Sequence, residues 1–156
     1  MITQFDITLA DASDARAIAE LSRDAIEQGL TWRWTARRVA RSIRDLATNV
    51  VVARQNGHFL GFAIMKYEDD VAHLQLLAVP PAHRRKAVGS AMLAWLEATV
   101  RVAGIPTVQL ETRAINAPAL SFYRRHGYTD AGMHPGYYEG VEDAVRLVKD
   151  MSRVLG

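Results

Sequence analysis

Apolar and polar residues alternate from Thr3 to Leu9, which predicts a first strand. The spacing then becomes helical, with Ala17, Ile18, Leu21, Ala25 and Ile26 on one face until Gly29 ends the run. Asp11 or Ser13 supplies the capping oxygen. A linker from Leu30 to Trp34 leads to a second helix capped by Thr35, with Val39, Ile43 and Leu46 turned inward and Arg37, Arg41 and Arg44 toward solvent. Val50–Arg54 and Phe59–Tyr67 read as the arms of a hairpin around Asn56-Gly57, a dipeptide suited to the positive φ angles of a primed turn. After a turn at Glu68–Asp70, a strand runs from Val71 to Val79. A long helix follows from Ala87 to Ala103, with Val88, Met92, Trp95, Leu96 and Val100 facing a sheet and Gly104 closing it. A strand Thr107–Arg113, a helix Pro118–Arg125 stopped by Gly127, and two strands, about Tyr128–Met133 and Glu142–Met151, complete the order β-α-α-β-β-β-α-β-α-β-β.

The chain has 156 residues, 49% of them apolar, so residues 1–156 are expected to form one domain with a sizeable core. It lacks cysteine, which excludes disulfides, thiolate metal sites and a cysteine nucleophile. No apolar run nears the ~20 residues that span a bilayer, and the start shows no secretory pattern. A cytoplasmic protein without a membrane partner is expected. The net charge of +2 carries no basic stripe interleaved with aromatics, so nucleic acid is not expected as a partner. His58, His83, His126 and His134 lack metal-ligand spacing, and no metal is expected.

Two segments carry chemistry. In the first, an apolar strand ending at Leu77, Ala78 and Val79 enters a basic turn, Arg84, Arg85 and Lys86, and then a helix beginning Ala87, Val88, Gly89, Ser90. The first amides of a helix have no intrahelical acceptor, and the aligned peptide dipoles leave about half a positive charge there, so such a turn suits a diphosphate. The second runs from Leu110-Glu111 through Asn116, Ala119, Phe122 and Tyr123 to Gly127-Tyr128. Together they resemble the GNAT superfamily of acetyl-CoA-dependent N-acetyltransferases. Arg84, Ala87 and Gly89 fall on its Gln/Arg-x-x-Gly-x-Gly/Ala pattern, and Asn116 to Tyr128 on its Asn-x-x-Ala-x-x-Phe/Leu-Tyr-x-x-x-Gly-Phe/Tyr pattern.

The resemblance implies an α/β (α+β) GNAT fold, a mixed central sheet of about seven strands flanked by four helices. It also implies direct acetyl transfer from acetyl-CoA to a primary amine. The backbone of Leu77, Ala78 and Val79 is then expected to hold the pantetheine arm and face the thioester oxygen, with Arg84 through Ser90 on the diphosphate. Asn116 caps a helix, contacts the pantetheine, or both. One departure is Ala87, where the family has glycine. A positive φ there costs alanine about 1 kcal/mol, whereas a place in the first helical turn favours it, and the second is expected.

Taken alone, Glu111 is either paired with an arginine or a base. Bacterial ribosomal-protein-alanine N-acetyltransferases resemble this segment most, and they imply Glu111 as base, partly desolvated or working through a water, and Tyr123 as the acid that also touches the cofactor. Its ordinary pKa of ~10 suits protonation of a thiolate. They share the Tyr137-Tyr138 pair, expected in an exposed, mobile loop where it closes over a peptide amino terminus. His73, on a strand segment resembling arylalkylamine N-acetyltransferases, is the rival base of a small-amine enzyme. A non-catalytic acyl-CoA sensor is the other alternative. The expected partners are an amine substrate and a second copy of the chain.

Overall fold

The computed structural model describes residues 5–84 and 87–152. The predicted strand start at Thr3 and two of the expected diphosphate ligands, Arg85 and Lys86, lie outside the described residues. Among the described residues seven strands form one sheet: β1 (Asp6–Leu9), β2 (Thr48–Gln55), β3 (His58–Tyr67), β4 (Val71–Ala78), β5 (Thr107–Arg113), β6 (Thr129–Tyr138) and β7 (Glu142–Asp150). Four α-helices join them: α1 (Ala15–Ala25), α2 (Ala36–Arg44), α3 (Val88–Ala103) and α4 (Ala117–Arg125). The strand order is β1-β2-β3-β4-β5-β7-β6, with β4 parallel to β5 and antiparallel pairing of β1 with β2, β2 with β3, and β7 with both β5 and β6. This is the expected mixed sheet and helix count. The chain divides into two compact units, Met1–Lys66 with Leu74–Thr99, and Tyr67–His73 with Val100–Gly156.

In the first unit, Asp11 opens a short 3-10 turn before α1 by accepting from Ser13 N at 2.8 Å, while Asp14 accepts from Asp11 N at 3.0 Å. This reciprocal cap satisfies two helix-start donors. α1 ends at Ala25, before the expected stop at Gly29. Ile26 N and Glu27 N both turn back to the Ser22 carbonyl, and the buried Glu27 carboxylate accepts from Ser22 Oγ and from the amides of Arg33 and Trp34. One carboxylate thus shapes the whole α1–α2 connection. Thr35 caps α2 as predicted, with Val39 wholly buried. Leu46 corrects the predicted inward face, because α2 stops at Arg44 and Leu46 is fully exposed. The cause is Asp45, whose carboxylate takes Ala47 N and Thr48 Oγ1 and turns the chain into β2.

Ile18, Ala19 and Val39 from the helices pack on Val50, Val52, Phe62 and Ile64 of the strands. Each large side chain buried here contributes about 1.5–3 kcal/mol. The β2–β3 hairpin turns at Asn56 and Gly57, with φ of 51° and 80°, the expected primed geometry. Beyond it the register shifts, and Gly61 adopts φ 155°. A Cβ on Gly61 would lie 2.7 Å from the Ala78 carbonyl oxygen, so glycine is what lets β3 approach the end of β4. α3 buries Val88, Met92, Leu96 and Val100 at the predicted spacing.

Candidate active site

Alternation along β5 buries Val108, Leu110 and Thr112 and leaves Gln109, Glu111 and Arg113 half-buried on the other face. Register then supplies the surroundings of Glu111. Parallel pairing sets His73 beside Gln109, and antiparallel pairing sets Arg146 directly opposite Glu111, so three strands converge within one pleat. His73 Nε2 lies 2.7 Å from Glu111 Oε1. On the other oxygen, Gln109 Nε2 and Arg146 Nε donate at 3.0 and 3.1 Å. The Tyr137 hydroxyl stands 3.5 Å from Oε1.

The Glu111 side chain is only 5% exposed, whereas that of His73 is 33% exposed. Burial pushes the carboxyl group up, but the hydrogen bond and charge of His73, with Arg146 and Gln109, outweigh it and bring the pKa to about 2. Glu111 is thus desolvated, but its partners leave the pKa lowered rather than raised. A carboxylate this acidic, with both oxygens engaged, is a weak proton acceptor alone. Its proximity to His73 makes a carboxylate–imidazole pair in which the more exposed ring carries the second proton-binding atom, Nδ1. Gln109 and Arg146 were not recognised as partners from the sequence. Gln109 was legible on the Glu111 face, but Arg146 becomes opposite only through the β5–β7 register.

Asn116 caps α4 through its side-chain oxygen, which accepts from Ala119 N at 3.2 Å. Two turns on, Tyr123 is buried with 7% exposure. Burial, and then the nearby Tyr138, push its phenol well above the usual range, so it keeps its proton more firmly than the ordinary value implied. Tyr137 and Tyr138 depart from the expected mobile loop. They end strand β6, with Tyr138 paired to Glu142 across a turn in which Val141 N bonds the Tyr138 carbonyl. Glu139 and Gly140 provide that turn's positive φ angles, which lets the hairpin close directly after the two tyrosines. Their rings stack edge to face at 5.0 Å. Tyr137 remains exposed at 41%, and Tyr138 is half-buried.

In the other unit, Leu77 and Ala78 end β4, and Arg84 Nε reaches back to the Val79 carbonyl at 3.1 Å. Arg84 thereby braces the loop, and it occupies one of the backbone acceptors expected to be exposed. Ala87 overturns the expectation that it lies in the first helical turn: its φ is 61°, and its carbonyl accepts the Ala91 amide as the residue just before α3. Entry from the basic turn into the helix needs a left-handed residue, the conformation for which glycine is ordinarily used. From Ala87 onward, helix geometry leaves the Val88 and Gly89 amides without intrahelical acceptors. His83 Nδ1 is buried in the same loop without a partner among the described residues. No cluster of three metal-binding side chains occurs among the described residues, and none of their helices is long and apolar enough to cross a membrane.

Residues 15–128 match the family described as the acetyltransferase (GNAT) family. The [ribosomal protein bS18]-alanine N-acetyltransferase of Escherichia coli K12 is 36% identical over 101 residues, 63% of this chain and 68% of that protein. The crystal structure of the ribosomal-protein-S18-alanine N-acetyltransferase from Escherichia coli superposes with a TM-score of 0.83 at 27% identity, covering 97% of this chain and 96% of that one. The PaiA N-acetyltransferase of Thermoplasma acidophilum, in complex with coenzyme A, gives 0.77 at 18% identity, covering 94% and 99%. The fold and the motif-bearing segments are those of an acyltransferase. The chain belongs to the GNAT family and is an N-acetyltransferase.

Proposed function

We propose that this protein acetylates the amino terminus of a peptide or protein in the cytoplasm, with acetyl-CoA as donor. The observation that carries the reading is the buried, ionised Glu111 with His73 on one oxygen and Gln109 and Arg146 on the other. The similarity to an alanine amino-terminal acetyltransferase supports a peptide acceptor. Bound acetyl-CoA supplies the acetyl group as a thioester, whose carbonyl carbon the amine attacks and whose sulfur departs. The loop fits its diphosphate: the Val88 and Gly89 amides open a 16-residue helix, Gly89 adds no β-carbon, and His83 Nδ1 is left unpartnered.

Proton movement belongs to the second unit. The attacking nitrogen must lose a proton, and His73 takes it while Glu111 holds the resulting imidazolium. Glu111 thus serves the base, His73, by orienting its ring and holding its charge. Gln109 and Arg146 fix the carboxylate so that its lone pairs face the ring. Tyr123, kept protonated by burial, donates to the departing sulfur, and a main-chain amide of the Leu77–Val79 segment serves the thioester oxygen. Tyr137, tied to Glu111, and Tyr138 border the acceptor.

Release of free CoA across a set of amino-terminal peptides tests this. Glu111→Gln and His73→Asn should each lower kcat by about a hundredfold near neutral pH, with partial recovery at alkaline pH as the amine deprotonates unaided. Tyr123→Phe should lower kcat and leave the KM for acetyl-CoA unchanged. Full activity of both pair variants would remove the proton-transfer role of Glu111 and His73.

A further inference from the structure

The segment from Val79 to Arg84 lies within the first unit, and its backbone is stiff. Pro80 and Pro81 lock two successive φ angles, and the 3-10 turn Pro81–His83 follows at once. His83 N closes that turn on the Pro80 carbonyl at 2.9 Å, and Arg84 N reaches the Pro81 carbonyl at 3.4 Å. The chain is thereby folded back, so that Arg84 Nε donates to the Val79 carbonyl at 3.1 Å. Arg84 itself is exposed, and its side chain is free to leave without disturbing the turn behind it.

Two demands meet at this one contact. Val79 directly follows the last residue of β4, in the segment read as holding the pantetheine arm, whose amide N–H needs a main-chain carbonyl. The carbonyl that Val79 offers is already engaged by Arg84. Arg84 in turn opens the basic turn read as meeting the diphosphate. A guanidinium bonds an ionised oxygen roughly twice as strongly as a neutral carbonyl, so a diphosphate outcompetes Val79 for this side chain.

We infer that Arg84 is a positioning residue that couples the two ends of acetyl-CoA. In the free protein it covers the Val79 carbonyl. When the nucleotide end binds, the guanidinium transfers to the diphosphate, and the carbonyl is released to the pantetheine amide. The inference rests on the reading of the turn before α3 as the diphosphate site. Its consequence is selectivity among acyl donors: a pantetheine thioester without a nucleotide has to displace Arg84 unaided, whereas acetyl-CoA brings the group that removes it.

The test measures the affinity of wild type and Arg84→Ala for three probes, CoA and ADP by calorimetry and pantetheine by NMR titration. Pantetheine should bind Arg84→Ala about threefold more tightly than wild type, the worth of one modest hydrogen bond no longer in its way. ADP and CoA should both bind the variant about tenfold more weakly, a loss that narrows with salt, because in both the diphosphate has drawn the side chain to itself. A side chain that merely supports the loop would weaken all three probes together. Pantetheine that binds Arg84→Ala no more tightly than wild type therefore overturns the coupling, and if ADP is still weakened the diphosphate reading survives it. ADP that binds neither chain, or binds both equally, overturns the transfer together with the placing of the diphosphate on this turn.

Discussion

Replacing Ala87 by glycine should stabilise the protein. The φ of 61° places an L-residue in the left-handed region, where the β-carbon crowds its own carbonyl at a cost of roughly 1–2 kcal/mol that glycine does not bear. Against that relief stands the extra freedom of glycine in the unfolded chain, about 0.4–1 kcal/mol. The Ala87 methyl is exposed, so no burial is lost. The difference leaves a net gain of about 0.5–1 kcal/mol, which for a chain of this size raises Tm by roughly 1–4 °C. Urea unfolding measures it as a higher midpoint at unchanged slope. Ala87→Val, β-branched at the same φ, should shift the midpoint the other way by more than 1 kcal/mol. Destabilisation by Ala87→Gly of about 1 kcal/mol is the value for a helical alanine, and it would refute the left-handed assignment.

Gly61→Ala should destabilise by about 2 kcal/mol or more, since its new carbon would lie 2.7 Å from the Ala78 carbonyl oxygen in a backbone conformation unsuited to alanine; an unchanged melting temperature would contradict that close approach. Glu111 has a folded pKa of about 2, below its ordinary 4.5, so its contribution to stability is fully present above pH 4.5 and is lost as the pH falls through 2. The stability difference between wild type and Glu111→Gln, followed by chemical unfolding, should therefore be constant near neutrality and narrow below pH 4.5, and a difference that widens on acidification would reverse the sign of that shift.

Periodicity made the sheet and helix order legible, because an alternating strand such as β5 and a repeating helix such as α3 must each bury one face. Chain ends of elements were less legible. Leu46 continues the helical spacing of α2, but spacing does not reveal that the Asp45 carboxylate prefers the amide and hydroxyl that follow it. Gly29 is a strong stop signal, yet the buried Glu27 withdraws the chain from α1 sooner. Motifs singled out Glu111, Tyr123 and the basic turn before α3 as candidates, but not their electrostatics. The depressed pKa of Glu111 depends on His73, 38 residues away, and on Arg146, 35 residues away, which only strand register brings together. Tyr137 and Tyr138 were misplaced because flanking glycines signal a loop, whereas Gly140 here pairs with Glu139 to make a turn short enough to keep both tyrosines in the strand.

The charges around Glu111 are balanced from within the chain. At Glu111 the protein supplies its own compensation: one buried carboxylate meets an imidazole, an amide and a guanidinium, so the site is pre-organised before any substrate arrives. A self-satisfied cluster of that kind is suited to proton transfer, because the charge appearing on His73 finds a fixed counter-charge and little has to reorganise.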